Sequence, residues 1–113
     1  YISDHRDAWE IVRRANHNNV GIILDSFHTL SRDINLDSIA SIPKEKIFIV
    51  QIADAPKYNM DLLFWSRHFR NMPGQGDLNV LDFMQNLYNT GYDNWISLEI
   101  FNYQFRKDHR DVI

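Results

Sequence analysis

No cysteine occurs in these 113 residues. Disulfide bridges and thiolate metal sites are thereby excluded, and a reducing, cytoplasmic setting is compatible. Only four glycines and three prolines interrupt the chain, and no repeat, low-complexity tract or linker divides it. One folding unit over residues 1–113 is therefore expected. No apolar stretch approaches the roughly 18 residues of a membrane span, and no signal peptide opens the chain, so no membrane partner is expected. No block of like charge occurs either: 12 basic and 15 acidic residues are interspersed, for a formal charge of −3. Such a balance gives no argument for nucleic acid or an acidic membrane surface as partner. What the chain does have is apolar material, 44% hydrophobic and 13% aromatic, enough for one core.

Three short apolar runs each end in an oxygen-bearing side chain. Val20-Gly21-Ile22-Ile23-Leu24 leads into Asp25, Ile47-Phe48-Ile49-Val50 into Gln51, and Trp95-Ile96-Ser97-Leu98 into Glu99. Runs this short and rich in Ile and Val read as strands buried on both faces. In parallel α/β folds the carboxyl ends of strands share one rim, where active sites are built. Two carboxylates and an amide on one rim make a hard-oxygen set suited to Mg²⁺ or Mn²⁺. Each residue singly also reads as the point where a strand meets solvent.

Helices alternate with these runs. Ala8, Trp9, Val12 and Ala15 fall at helical spacing with Ser3 or Asp4 as N-cap, and the polar Asn16–Asn19 stretch ends that helix. His17 there reads as a solvated histidine near a helix C-terminus. A polar loop follows Asp25, then a short helix from Leu36 to Ile42 that Pro43 stops. Residues 53–77 form a long connection with one helical turn near Leu62 to His68, a length that suggests function. Leu81, Met84, Leu87 and Tyr88 mark an amphipathic helix between Asn79 as cap and Gly91 as stop. Residues 102–113 read as a polar tail. Strands alternating with helices imply right-handed parallel crossovers. Three strands are too few for a closed (β/α)₈ barrel, which takes about 250 residues. The expected fold is α/β, the C-terminal part of such a barrel.

Several residues could carry chemistry. His28 lies three residues past Asp25, where it can serve as a general acid/base or hydrogen-bond to nearby backbone. Gln51 offers either a neutral oxygen to a hard cation or a buried amide to a hydrogen-bond network. Asp54, between Ala53 and Pro56, reads as a turn or supporting residue. In Ser66-Arg67-His68-Phe69-Arg70, cationic groups could grip a carboxylate or phosphate, or simply be solvated. Phe64, Trp65 and Phe69 could wall a pocket or pack a core. Pro73-Gly74-Gln75-Gly76-Asp77 reads as a turn and not as a nucleotide fingerprint, because its Gly-x-Gly does not follow a strand.

Taken together, Leu24-Asp25-Ser26-Phe27-His28, Val50-Gln51-Ile52-Ala53-Asp54-Ala55-Pro56, Ser66-Arg67-His68-Phe69-Arg70 with Pro73-Gly74-Gln75-Gly76-Asp77, and Ser97-Leu98-Glu99-Ile100-Phe101-Asn102 resemble one family. It is the xylose-isomerase-like TIM barrels, and within them the bacterial 3-dehydroshikimate dehydratases. The resemblance runs from about Asp4 to Arg106. It implies that Asp25, Gln51 and Glu99 are three of four protein ligands of a divalent cation, Mg²⁺ or Mn²⁺ foremost and Co²⁺ as a further candidate. His28 is then the acid/base residue, while Ser66 and Arg70 hold a small anionic substrate, Arg70 by its carboxylate. The family's fourth ligand is a glutamate ending the preceding strand, so activity is expected only from a complete barrel. Some relatives carry a dioxygenase-like domain after it. The implied reaction turns 3-dehydroshikimate into protocatechuate by loss of water. Rival expectations are a sugar or sugar-phosphate isomerase/epimerase on the same barrel, and a non-catalytic barrel fragment that binds metal or associates into a homo-oligomer through its sheet edges.

Overall fold

The carboxylate of Asp4 starts the first helix, α1 (His5–Ala15), by accepting the backbone N–H groups of Arg6 and Asp7 at 2.7 and 3.3 Å. This satisfies donors that every helix N-terminus leaves orphaned. The computed structural model describes residues 4–104, so Ser3, the alternative cap, lies outside the described residues. Asn16 closes the helix in the left-handed conformation, φ 45°, which asparagine tolerates better than most residues. His17 is exposed, and its Nδ1 accepts the N–H of Asn19 at 3.0 Å.

Strands β1 (Ile22–Asp25), β2 (Ile47–Ile52) and β3 (Ile96–Leu98) form one parallel sheet in the order β1-β2-β3. The helices between them are α2 (Ser26–Leu30), α3 (Asp37–Ala40), α4 (Leu62–His68) and α5 (Val80–Asn89). Side-chain caps account for three of these starts: Asp25 before α2, Asp61 before α4 and Asn79 before α5. The fold is the expected partial (β/α)₈ barrel. None of the helices among the described residues is long and apolar enough to cross a membrane.

Three expectations change. The loop expected after Asp25 is helical, because the Asp25 carboxylate accepts the N–H of Phe27 at 2.9 Å and turns the chain at once into α2. In this three-strand part of a barrel, the strands are covered on one face only, the other being the side toward which a complete barrel closes. Leu24, Val50 and Ile52 are buried beneath the helices with Phe27, Ile39 and Phe83, whereas Ile23 and Ile49 on the opposite face are 55% and 44% exposed. All of β3 is exposed. Finally, of the residues that mark α5, Leu87 is buried and Met84 packs against the core, as expected, whereas Leu81 and Tyr88 face water and Val80 and Phe83 are buried in their place. The core-facing stripe is rotated by about one residue, a choice that periodicity alone does not make and packing against α2 and α3 does.

A polar chain that runs from the buried His5 and Thr29 to the half-buried Ser38 joins three helices. The Ser38 hydroxyl donates to the Asn35 carbonyl at 2.9 Å, so its oxygen accepts from His5 Nε2 at 2.6 Å. Nδ1 of His5 is then the acceptor for the Thr29 hydroxyl at 3.3 Å. Burial lowers the pKa of His5, opposed by the charge of Asp4 and reinforced by that of Arg6. The unfolded chain therefore binds more protons, and His5 contributes stability that is present above its ordinary pKa of 6.5 and lost as pH falls below it. Urea midpoints measured from pH 7.5 down to 5.5 are expected to fall more steeply for the native chain than for His5→Gln. Parallel pH profiles would remove His5 as the source.

Candidate functional site

In a parallel sheet, residues in register present their side chains on the same face. Asp25 is in register with Gln51, and Gln51 with Ser97. Glu99 follows two residues after Ser97, its N–H donating to the Ile52 carbonyl at 3.2 Å. All three sequence-nominated oxygen donors thus sit at the carboxyl end of the sheet, on the face that the helices leave open.

One cation ties the two carboxylates together. Arg70 Nη1 lies 3.0 Å from Asp25 Oδ2 and 3.7 Å from Glu99 Oε2. The carboxyl of Glu99 has a raised pKa, through burial first and then the negative charge of Asp25, with Arg70 opposing both. Two carboxylates in mutual repulsion are a setting that a second cation would relieve.

His28 extends from α2 toward the same rim, its Nε2 3.9 Å from Asp25 Oδ2 and 3.4 Å from Arg70 Nη2. Its ring meets the edge of Phe27 at 5.6 Å between centroids. Burial lowers the pKa of His28; Asp25 counters this, and the charges of Arg70 and Arg32 add to it. The outcome is a neutral imidazole near neutral pH, able to accept a proton.

Ser66 and Arg70 are only 4% and 2% exposed, and Arg70 is the largest fully buried side chain described. The guanidinium bonds the Ser66 hydroxyl at 2.7 Å and the Ser66 carbonyl at 2.9 Å. Burial of so much charge is tolerated only with pairing and hydrogen bonds, and both are present. Trp65 belongs to the core against Phe27, whereas Phe64 is exposed, its ring tilted 45° against that of His68 at 4.4 Å between centroids. Asp54 is 1% exposed and binds the N–H groups of Ala55, Gly74 and Leu78, which makes it the anchor of the 73–77 turn.

Asn102, assigned above to a tail, is a working part of this region. Its Nδ2 donates to the Arg70 carbonyl at 2.9 Å and to Asn71 Oδ1 at 3.2 Å, and its backbone bridges Phe69. The remainder of that tail, residues 105–113, lies outside the described residues. No apolar period or turn signal marks Asn102; its partners lie some thirty residues back, beyond the range of local pattern.

Among the described residues, no three His, Cys, Asp or Glu side chains are grouped to hold a metal ion. Asp25, Gln51 and Glu99 are the oxygen-bearing side chains that the strand ends bring to this rim. That donor set is hard, anionic and strand-borne, which suits a divalent cation.

The model of the xylose isomerase-like TIM barrel family matches residues 1–112. Among curated proteins, a 3-dehydroshikimate dehydratase of Pseudomonas aeruginosa is 51% identical over 105 residues, which are 93% of this chain and 17% of that protein. An inosose isomerase of Bacillus subtilis is 31% identical over 106 residues, 94% of this chain and 37% of that protein. Among solved structures, a xylose isomerase-like TIM barrel/4-hydroxyphenylpyruvate dioxygenase fusion protein superposes with a TM-score of 0.88 at 49% identity, covering 90% of this chain and 16% of that one. The IOLI protein with a binding zinc atom superposes with a TM-score of 0.83 at 31% identity, covering 94% of this chain and 37% of that one. The chain thus spans at most 37% of the length of these relatives.

Proposed function

Because the chain belongs to the xylose isomerase-like TIM barrel family, we propose that its strand-end cluster works, within a complete barrel, in the dehydration of 3-dehydroshikimate to protocatechuate. The observation that carries this reading is the joining of Asp25, His28 and Glu99 around one buried guanidinium, in a chain 51% identical to a protein of that name. Asp25, Gln51 and Glu99 are the residues to hold a divalent cation. Their oxygen chemistry favours Mg²⁺ or Mn²⁺, with Co²⁺ also compatible, and a relative is described with zinc. Such an ion, when bound, polarises a ketone oxygen and stabilises negative charge developing there.

The rest follows from side chains of this chain. Neutral His28 takes the proton on the carbon next to the ketone, and the protonated ring returns one to the departing hydroxyl. Substrate becomes product plus one water, so atoms and charge balance. Asp25 beside the ring favours the imidazolium formed midway.

The test is a complete barrel containing these residues, supplied with Mn²⁺ or Mg²⁺ and 3-dehydroshikimate and followed by the ultraviolet absorbance of the aromatic product. Product is expected, and chelator should abolish it. His28→Ala should lower kcat by about 10²–10⁴-fold. Absence of product from a barrel that binds metal would overturn the reading. It would favour an isomerase or epimerase, which shares proton removal beside a carbonyl and is represented by the inosose isomerase at 31% identity.

A further inference from the structure

A polar atom that loses its water on folding needs a partner in exchange. Among the described residues, three buried side-chain atoms have none: Ser31 Oγ, Arg32 Nε and Trp65 Nε1. All three carry a hydrogen to donate, and the guanidinium and the indole have no acceptor at all. Ser31 stands at the C-terminal end of α2 with Arg32 next to it, and Trp65 lies on α4, 6% exposed. Ser31 and Trp65 line one pocket of about 330 Å³, at the small end of the range for ligand sites. None of Asp25, His28, Gln51, Ser66, Arg70 and Glu99 lines it. Its link to the rim runs through rings: Trp65 meets Phe27 edge-on at 5.2 Å, and the Arg70 guanidinium lies over Phe27 at 4.8 Å.

The rest of the lining defines what fits. Leu30 and Leu78 join the Trp65 ring as apolar wall, Lys57 brings a positive charge and Asp33 a negative one. Unpartnered donors beside a cation suit a carboxylate. Asp33 disfavours a ligand charged on every side, such as phosphate, and accepts from a hydroxyl at the ligand's other end. The apolar wall takes a ring between the two. We propose that this pocket binds a small hydroxylated aromatic carboxylate, its carboxylate accepting from Ser31 Oγ and Trp65 Nε1 with its charge balanced by Lys57. Arg32 adds a second positive charge beside the Ser31 donor. Both donors sit beneath the pocket surface; rotation of the serine hydroxyl and a small shift of the exposed residues 57–59 open them to the ligand. All walls come from the segments that follow β1 and β2, and the pocket does not depend on the function proposed above.

The test needs neither metal nor turnover. A ¹⁵N-labelled complete barrel containing these residues is titrated with 4-hydroxybenzoate as probe. The indole N–H resonance of Trp65 is the one missing from Trp65→Phe, a variant that keeps a ring against Phe27. If that variant does not fold, the nuclear Overhauser contact between the indole and Phe27 identifies the resonance instead. Saturable downfield movement of this proton is expected, because an accepting oxygen deshields it. Phenol, which lacks the carboxylate, should bind about 10-fold more weakly or worse, and benzoate, which lacks the hydroxyl, should fall between. Ser31→Ala and Lys57→Met should each weaken 4-hydroxybenzoate by about 10-fold. A Trp65 signal that 4-hydroxybenzoate leaves in place would overturn the proposal, as would the same apparent Kd in both variants. Movement of resonances at the strand-end rim without that of Trp65 would put the probe there and overturn it equally.

Discussion

Asp54→Ala is expected to lower the unfolding free energy by about 3–5 kcal/mol, from the cost of leaving buried polar groups unpaired. The carboxylate is 1% exposed. Its Oδ1 accepts the N–H groups of Ala55 at 2.8 Å and Leu78 at 3.0 Å, and its Oδ2 that of Gly74 at 3.0 Å. Backbone bonds from Asp54 to Asn71 in both directions, at 2.8 and 2.7 Å, close the same turn. Alanine leaves three donors without an acceptor where the segment after β2 meets the turn that leads into α5. Asp54→Asn keeps one oxygen but sets an amide N–H₂ against the third donor, so it should recover only part of the loss. Gly76 belongs to this arrangement. A Cβ there would stand 2.5 Å from both the Ala55 carbonyl oxygen and Asp54 Oδ1, so Gly76→Ala should destabilise through the same contact. Urea unfolding of the three variants measures this. A loss below about 1 kcal/mol for Asp54→Ala, the usual range of a single exposed hydrogen bond, would show that the turn stands without it.

The second large effect concerns the rim. Glu99→Ala is expected to weaken the binding of Mn²⁺ to a complete barrel by about 10³-fold, equivalent to roughly 4 kcal/mol, with turnover lost in step. Glu99→Gln should lie between, since an amide oxygen can still coordinate but brings no charge. The pH dependence has a definite sign. Burial and the charge of Asp25 hold the carboxyl of Glu99 above its ordinary range, so a proton competes with the cation there. Affinity should therefore fall on acidification, and the native protein should show it more strongly than Glu99→Gln. Calorimetric titration with Mn²⁺ at two pH values reads both effects. Native affinity retained by Glu99→Ala would remove that residue from the ligand set.

Local features of the fold are legible in the residues themselves. Asp4 and Asn79 cap the helices that they were expected to cap, because capping needs only a short polar side chain and N–H groups two or three positions away. The three strands and the α4 turn are visible in short apolar runs and in helical spacing. The strand-end oxygens were visible too, since each is simply the polar residue that ends an apolar run. That they share a face depends on register, which no single strand contains.

The face of α5 was not decidable from its own sequence, because two equivalent stripes differ by one residue and only the surface beneath chooses. The start of α2 after Asp25 is hidden in the sequence, because the aspartate that caps the helix is also the polar residue that ends a strand. Arg70 shows the division most clearly. An arginine in a polar segment reads as solvated or as a gripping cation, and its chemistry permits both. Its place at the centre of the site depends on Asp25, His28, Glu99 and Phe101 arriving from 29 to 45 residues away. Sequence alone therefore determined the three strands, the helices α1, α3, α4 and α5, the caps Asp4 and Asn79 and the oxygens at the strand ends, all matters of neighbouring residues. The tertiary structure decided which faces are covered and which charges meet, because burial and ion pairing are set by distant segments brought together.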